Sequence, residues 1–317
     1  MSIRALLAHG DGTDEPIDLR ASGRPRIAKD ELLWVDLEAP ADDELAIVRE
    51  ALDLGESESE RLGRRPGRPE AVVHASAAEV VLIALGEEID DDPVPLRALI
   101  GDGWAVTCHD APVPFIDEHR EMIQDQRETG RLSSVEFLAQ VLDWHLDAVF
   151  DAAEALEAEV DRLDDAALGT DTHLLERLVR MRRSIARVRR ILNPHREVLS
   201  ELARPDFLPD GAEGPELMSS LTARLDRAQD SLNNVREMLL GTFDIHMTRT
   251  AQRTNDIMRV LTLASVVLLP SVVLAGVMGM NFRIGIFEQP DFFWVVVGAM
   301  VLMAAATIAV ARWRQWL

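Results

Sequence analysis

The chain has 317 residues, with 55 acidic side chains against 33 basic ones and a net charge of −22. That excess of carboxylates excludes nucleic acid as a partner, since phosphate binding needs a basic face, and it favours cations. A single cysteine, Cys108, excludes an internal disulfide framework and fits a reducing compartment.

The amino-terminal stretch MSIRALLAHGDG has only a short apolar run, Ala5 to Ala8, so no secretory signal is expected. Residues 1–130 read as a mixed α/β domain. Within it IRALLA (3–8), LLWVDL (32–37), EVVLIAL (79–85) and WAVTCH (104–109) are short, β-rich and bounded by Gly, Pro or Asp, which is the pattern of strands. Between them DDELAIVREALDL places Leu45, Val48 and Leu52 on one helical face. The segment ERLGRRPGRPE (60–70) carries two prolines and is expected to be a flexible, solvated basic connection.

Residues 131–204 change to long helix. SSVE reads as a capping box in which Ser133 accepts from the backbone of Glu136. The helix that follows runs to about Leu168 and becomes acidic at Asp151, Glu154, Glu157, Glu159, Asp161, Asp164 and Asp165. Gly169-Thr170-Asp171 makes a turn, and the return helix is basic at Arg177, Arg180, Arg182, Arg183, Arg187, Arg189 and Arg190. Leu174, Leu178, Met181, Ile185, Val188 and Leu192 recur on one side of it. This predicts an antiparallel hairpin whose charges pair across, with a basic patch for phosphate or lipid as the alternative.

ARPDFLPDGAEGPE (203–216) breaks the helix again. From Glu216 to about Gly279 the pattern is helical throughout, with residues 216–259 as a cytosolic stalk. A continuous helix of that length measures ~95 Å at ~1.5 Å per residue. Gly241 is a tolerated weak point and Pro270 an expected kink.

Val260 to Phe282 is 23 residues without a charge, and Phe292 to Ala311 another 20. Each can cross a hydrocarbon core of ~30 Å, so residues 260–282 and 292–311 are predicted transmembrane helices. Arg249, Arg253 and Arg259 precede the first span, and Arg312 and Arg314 lie in the basic tail 312–317. The connecting loop 283–291 sets Arg283 against Glu288 and Asp291. The bias of basic residues predicts a multi-pass protein of the cell membrane with both termini cytoplasmic and the loop outside. Trp294, Trp313 and Trp316 stand where interfacial indoles would anchor the second span. Two helices alone cannot enclose a water-filled path, so the hairpin is either an anchor or one part of an assembly. Asn255, Thr262, Leu269 and Gly276 recur near heptad spacing, and a stripe of small and polar residues suits a helix packed against copies of itself.

The run RTNDIMRVLTLASVVLLPSVVLAGVMGMNF (253–282), a short loop, a second span and the closing RWRQWL resemble the CorA metal-ion transporter family. That family is defined by two C-terminal transmembrane helices with a Gly-Met-Asn motif between them. The resemblance is close over 253–282, weaker over the second span and architectural elsewhere. It implies an α+β fold: a cytosolic α/β domain, a helical hairpin and a very long stalk helix that continues into two transmembrane helices, assembled as a pentameric funnel. The selectivity filter would be Gly279, Met280 and Asn281, with Gly279 permitting the turn and the five Asn281 carboxamides facing the axis. A ring of neutral acceptors can bind the water shell of Mg²⁺, an ion that sheds its water reluctantly, whereas carboxylates would hold it too tightly for passage. Asn255, Met258, Leu261, Ser265, Leu269, Val272 and Gly276 would line the pore, with Met258 and Leu261 as a hydrophobic constriction. Glu288 and Asp291 would concentrate cations at the mouth.

The resemblance also implies regulatory divalent ions bridging acidic residues of neighbouring cytosolic domains. Counting back from the motif puts Ser220 where a stalk acid is usual, which leaves Asp226 and Asp230, and Asp90 and Asp91 of EEIDDDP (87–93), as candidates. The expected function is a divalent-cation channel or transporter, not an enzyme, without a catalytic cofactor. Its cargo would be Mg²⁺, with Co²⁺ and Ni²⁺ as further ions. Two departures bear on that cargo: the loop RIGIFEQPD replaces the usual Met-Pro-Glu-Leu, and Val272 replaces a pore threonine. The alternatives are a zinc transporter of the ZntB branch and a membrane-anchored cytosolic sensor or scaffold without conduction. Cys108-His109-Asp110 ends a strand, where consecutive side chains point to opposite faces, so it is not expected to act as one cluster. His246 on the stalk could face copies of itself and bind a soft metal.

Overall fold

The computed structural model describes residues 3–9, 14–125, 133–169, 173–204, 207, 214–280 and 290–313, without the side chains of 22, 119, 121–125 and 290–292. The chain divides into two units, Met1–Thr242 and Phe243–Leu317.

In the first unit seven strands form one sheet: β1 (Ile3–Ala8), β2 (Asp14–Pro16), β3 (Leu32–Glu38), β4 (Glu70–Val73), β5 (Ala78–Ala84), β6 (Val94–Gly101) and β7 (Trp104–His109). Their order is β2-β1-β3-β7-β6-β5-β4. The β3–β7 pair is parallel, and the other pairs are antiparallel. Alternation along β3 sends Leu33, Val35 and Leu37 into one apolar cluster, and Leu32 and Trp34 into the other. The sheet therefore needs cover on both faces.

On one face α2 (Asp42–Leu52) contributes Val48, Ala51 and Leu52, and α3 (Glu56–Leu62) contributes Leu62. The Glu44 carboxylate accepts from the Ala41 N–H at 3.0 Å and closes the start of α2. On the other face lie α5 (Ser134–Ala167), α6 (Leu174–Leu192), α7 (His195–Leu202) and the first part of α8 (Gly214–Met278), all sharing one apolar cluster with the sheet. The sheet and the helical hairpin thus have a common core. Two further helices are α1 (Leu19–Ser22) and α4 (Pro114–Asp125), the latter adding Phe115 and Ile116 to the second cluster.

α5 starts with the expected capping box: the Glu136 N–H donates to Ser133 Oγ at 3.2 Å, and the Ser133 N–H donates to Glu136 Oε2 at 2.6 Å. α6 buries Leu174, Leu178, Met181, Ile185, Val188 and Leu192, the stripe read from the sequence. The pairing of charge across the hairpin is far sparser than the sequence suggested. Arg177 reaches Glu159 at 3.1 Å, while Arg187 turns instead to the backbone carbonyls of Asp90 and Asp91, at 2.7 and 2.8 Å. The remaining charges of both helices stand on outward faces, because the inward faces are taken by the core.

Residues 60–70 are not a free loop either. Arg97 lies at the centre of β6, a strand buried along its whole length, and its guanidinium donates to the carbonyls of Arg61 and Arg64. A buried cation with five N–H groups needs acceptors, and this basic stretch supplies two of them with its backbone.

In the second unit α8 continues through Pro270 without interruption, and α9 spans Pro290–Trp313. Proline at the first helical position loses nothing, since that N–H has no intrahelical partner.

Candidate ion pathway

Helix α8 in the second unit has two distinct sides. Leu263, Val267, Pro270, Ser271, Leu274 and Met278 are half-buried, whereas Asn255, Met258, Leu261, Ser265, Leu269, Val272 and Gly276 are all exposed. At ~100° per residue the two stripes lie on nearly opposite faces of the helix. Leu261 is 59 % exposed and Val272 66 %, so apolar side chains of full size stand uncovered in the single chain. Ser265 donates its hydroxyl to the carbonyl of Leu261 at 2.9 Å, which satisfies its proton within the helix and leaves an oxygen lone pair outward.

The helix closes at Gly279 and Met280, whose N–H groups reach the carbonyls of Ala275 at 2.9 Å and Val277 at 3.2 Å. Gly279 does not adopt a positive φ. A Cβ there would meet Ala275 O at 3.4 Å and Gly276 O at 3.5 Å, which is ordinary contact. The turn itself therefore does not require glycine at 279. Asn281 and Glu288 lie outside the described residues, and Asp291 falls in the first turn of α9 without a described side chain.

The acidic candidates of the first unit are largely engaged. Asp90 Oδ1 accepts from Ser184 Oγ at 2.8 Å, and Asp91 Oδ2 accepts from the Glu88 N–H at 2.8 Å, so this loop clamps α6. Asp226 faces Arg196 at 3.4 Å, and Asp230 is exposed. Among the described residues of the single chain no three His, Cys, Asp or Glu side chains converge as a metal-holding group. His246 is half-buried on α8.

Cys108 and His109 do point apart. The Cys108 thiol is buried in the α2–α3 cluster, and burial pushes it up to about 12, so it is inert as a thiolate. His109 lies on the opposite face with Nε2 3.2 Å from Asp36 Oδ1 and Nδ1 2.7 Å from the Ala111 carbonyl. Burial alone would lower the imidazole, but the Asp36 carboxylate outweighs it and raises the His109 value. Asp36 is buried too, yet hydrogen bonds from His109 and Thr107 and the Arg120 charge hold it below the usual carboxylate range. This is a buried ion-pair web that ties β3, β7 and α4 together.

Two further clusters have no signature in the sequence, because their members come from distant elements. Glu79 is fully buried on β5 and accepts from Arg61, from Arg97 at 2.8 Å and from His74 at 2.8 Å. Burial would raise its carboxyl, but the hydrogen bonds from Arg61 and His74 and the Arg97 and Arg61 charges hold it low. The second cluster is a pair of stacked imidazoles, His145 on α5 and His195 on α7, with ring centroids 4.5 Å apart. Each ring is 1 % exposed. The Ile83 N–H donates to His195 Nε2 at 3.1 Å, so that nitrogen carries no proton and the neutral ring is protonated at Nδ1. Burial lowers His195 to about 4, and burial next to His195 drives His145 well below its ordinary value.

A sheet-bearing unit followed by two long apolar helices that the chain leaves uncovered defines an integral membrane protein. Residues 29–312 match the CorA-like Mg²⁺ transporter protein family. The chain is 26 % identical over 216 residues to the cobalt/magnesium transport protein CorA of Thermotoga maritima, a match covering 63 % of this chain and 58 % of that protein. It is 23 % identical over 291 residues to the zinc transport protein ZntB of Yersinia enterocolitica, covering 90 % and 88 % of the two. The complete structure of the CorA magnesium transporter of Methanocaldococcus jannaschii shares the fold with a TM-score of 0.83 at 22 % identity, over 99 % of this chain and 98 % of that one. The chain therefore belongs to the CorA family of divalent-cation transporters, which are not catalysts.

Proposed function

We propose that five copies of the chain form a pore along which the exposed stripe of α8 faces the axis, and that Mg²⁺ passes inward through it, with Co²⁺ and Ni²⁺ as further cargo. The observation that carries this reading is the coincidence of two patterns. The seven positions from Asn255 to Gly276 fall within the broad surface of α8 that the single chain leaves bare, a surface that also holds Val260, Val266, Leu268 and Val273, and they lead directly to Gly279-Met280-Asn281. Three of the seven, Asn255, Ser265 and Gly276, are small or polar, and such positions on a membrane helix favour helix–helix contact over exposure to lipid.

In that ring the Asn281 carboxamide oxygens accept hydrogen bonds from the water shell of the ion, and Gly279 and Met280 complete the filter. Glu288 and Asp291 draw cations to the mouth against the opposing charge of Arg283. Met258 and Leu261 close the inner end by dewetting. The first unit and both termini lie in the cytosol, following the arginines at 249, 253, 259, 312 and 314. Asp226 and Asp230 remain the better candidates for a regulatory ion shared between copies, since Asp90 and Asp91 are occupied in holding α6. An inside-negative potential gives two charges ~4.6 kcal/mol per 100 mV, enough to drive passive entry.

The test is ion uptake into proteoliposomes. Asn281→Ala removes one acceptor per subunit, each worth ~1 kcal/mol, and should cut Mg²⁺ flux by at least about tenfold. Unchanged flux would refute the ring. Running Mg²⁺, Co²⁺, Ni²⁺ and Zn²⁺ in the same assay decides the second reading, Zn²⁺ as cargo, which the similarity to ZntB favours.

A further inference from the structure

Beside β1 the first unit holds a cavity of about 780 Å³, lined by no residue of α8. Its origin is local. β2 is three residues long and pairs only with Leu6, Leu7 and Ala8, and Pro16 has no N–H with which to extend the ladder. The chain then leaves the sheet through Ile17 into α1, so Ile3 and Arg4 have no strand on their outer side among the described residues. Leu6, Pro16, Ile17, Leu19 and Trp34 give the cavity mostly apolar walls. One wall is fixed in place: the Trp34 indole N–H donates to Thr107 Oγ at 2.9 Å, and that hydroxyl donates to Asp36 Oδ1 at 2.7 Å.

The charges at the cavity are unevenly satisfied. Arg20 donates to Glu44 at 2.9 Å and Arg120 to Asp36 at 3.1 Å. Asp36 receives donors at both oxygens, since His109 adds to Thr107 and Arg120. Arg4 differs. Its Nη2 donates to Glu38 at 3.2 Å, but Nη1 has no hydrogen-bond acceptor among the described residues, with Asp117 and Asp36 at 3.6 and 4.0 Å. The group left wanting is a donor, so the complementary ligand brings an acceptor.

We propose that this cavity binds a small amphiphilic monocarboxylate, with its carboxylate on Arg4 and its apolar body against Leu6, Ile17 and Trp34. Sites for small molecules measure about 300–1,000 Å³ and combine apolar walls with a few polar groups, as here. Charge narrows the class further. Asp36, Glu38, Glu44 and Asp117 stand around the arginines, so a multiply charged anion such as phosphate or a nucleotide meets repulsion and gives up more hydration than one guanidinium returns. A cation finds these carboxylates already paired with arginine. A single negative charge on an apolar body gains both contacts at the least loss of hydration. The inference needs neither conduction nor assembly of the chain.

Photolabelling tests it in the full-length chain, reconstituted in nanodiscs of phosphatidylcholine. The probe is 4-benzoylbenzoate, an aromatic monocarboxylate that inserts into nearby C–H bonds on irradiation. Mass spectrometry of the digested protein should find the label on residues 3–6, on residues 16–20 or on Trp34, and excess 4-phenylbutyrate should remove it. Arg4→Gln should lower the yield by about tenfold, the worth of one hydrogen bond between charged groups, and Arg4→Lys should restore part of it. Ile17→Trp fills the cavity without changing a charge and should lower the yield as well. The neutral 4-benzoylbenzamide, applied to the parent chain, should label these positions about tenfold less, a comparison that no change of fold can disturb. Equal labelling by acid and amide, parent-level yield in Arg4→Gln or Ile17→Trp, or label confined to other segments would overturn the proposal. So would displacement of the label by inorganic phosphate as effectively as by 4-phenylbutyrate, which would assign the cavity to a small polyanion.

Discussion

Acid should loosen the first unit through the stacked histidines. In the unfolded chain both titrate near 6.5, but in the fold His195 titrates at about 4 because its ring is buried. Between those values the unfolded chain binds the proton and the folded one does not, so stability falls as pH falls. At ~1.36 kcal/mol per pH unit, His195 alone costs about 3 kcal/mol on going from pH 6.5 to 4. His145, pushed down in the same direction, adds to that loss. The structural cause is specific: a second proton on His195 would have to sit at Nε2, which faces the Ile83 N–H at 3.1 Å. His195→Gln keeps an acceptor for that N–H and cannot titrate. Near-ultraviolet dichroism of the full-length protein in detergent follows Trp34, Trp104 and Trp144, all buried in this unit. The parent should lose about 6–12 °C more in Tm between pH 6.5 and 4 than the glutamine variant, at ~2–4 °C per kcal/mol. Asp36 and Glu79 lose their contribution only at lower pH, since their carboxyls titrate below the usual range. Parallel Tm curves for parent and variant would refute the reasoning.

The other expectations are simpler. Leu261→Ser replaces an apolar constriction with hydroxyls and should raise resting leak current in planar bilayers, whereas an unchanged leak reduces Leu261 to packing. Glu79→Gln leaves the buried Arg97 and the half-buried Arg61 beside a neutral amide and should cost about 3–5 kcal/mol of first-unit stability by denaturant titration; a loss under 1 kcal/mol would show the network is not needed.

How much of the fold was legible depended on which signal each element carries. β1, β3, β5 and β7 are runs of apolar and β-branched residues between turn formers, and their segments were recognised. β6 was missed because VPLRALIG holds a proline and an arginine, and only the partner Glu79 on the adjacent strand makes that arginine tolerable inside a sheet. β2 and β4 have three and four residues and carry no period to detect. The long helices were plain, since caps and stripes are local. What the hairpin's charges pair with was not: sequence shows the signs, but the face on which each charge lies depends on what the core claims first. The same limit hid the two buried histidines, 50 residues apart and brought together only by tertiary packing. The seven α8 positions from Asn255 to Gly276 came from the resemblance to the family and not from period or composition, which gave only the heptad series Asn255, Thr262, Leu269 and Gly276.

On the pore reading, the absence of charge from Val260 to Met280 itself constrains how an ion could cross. Desolvating a single charge into a medium of low dielectric costs ~20 kcal/mol, and the cost grows with the square of the charge, to ~80 kcal/mol for a divalent ion. The membrane potential supplies ~4.6 kcal/mol per 100 mV. No set of leucine, valine and glycine side chains closes that gap, so a bare ion is excluded and the ion must travel with water. Water in turn needs a bore wide enough for a hydrated ion, which two helices of one chain cannot enclose and a ring of copies can. It also explains why neutral oxygens suit the path: Ser265, Asn255 and Asn281 bind water well and a passing ion only through it. A carboxylate at any of these positions would stabilise the ion too strongly for it to leave. Asn281→Asp should therefore raise affinity for Mg²⁺ while lowering its flux, the opposite signs that separate a filter for hydrated ions from a simple binding site.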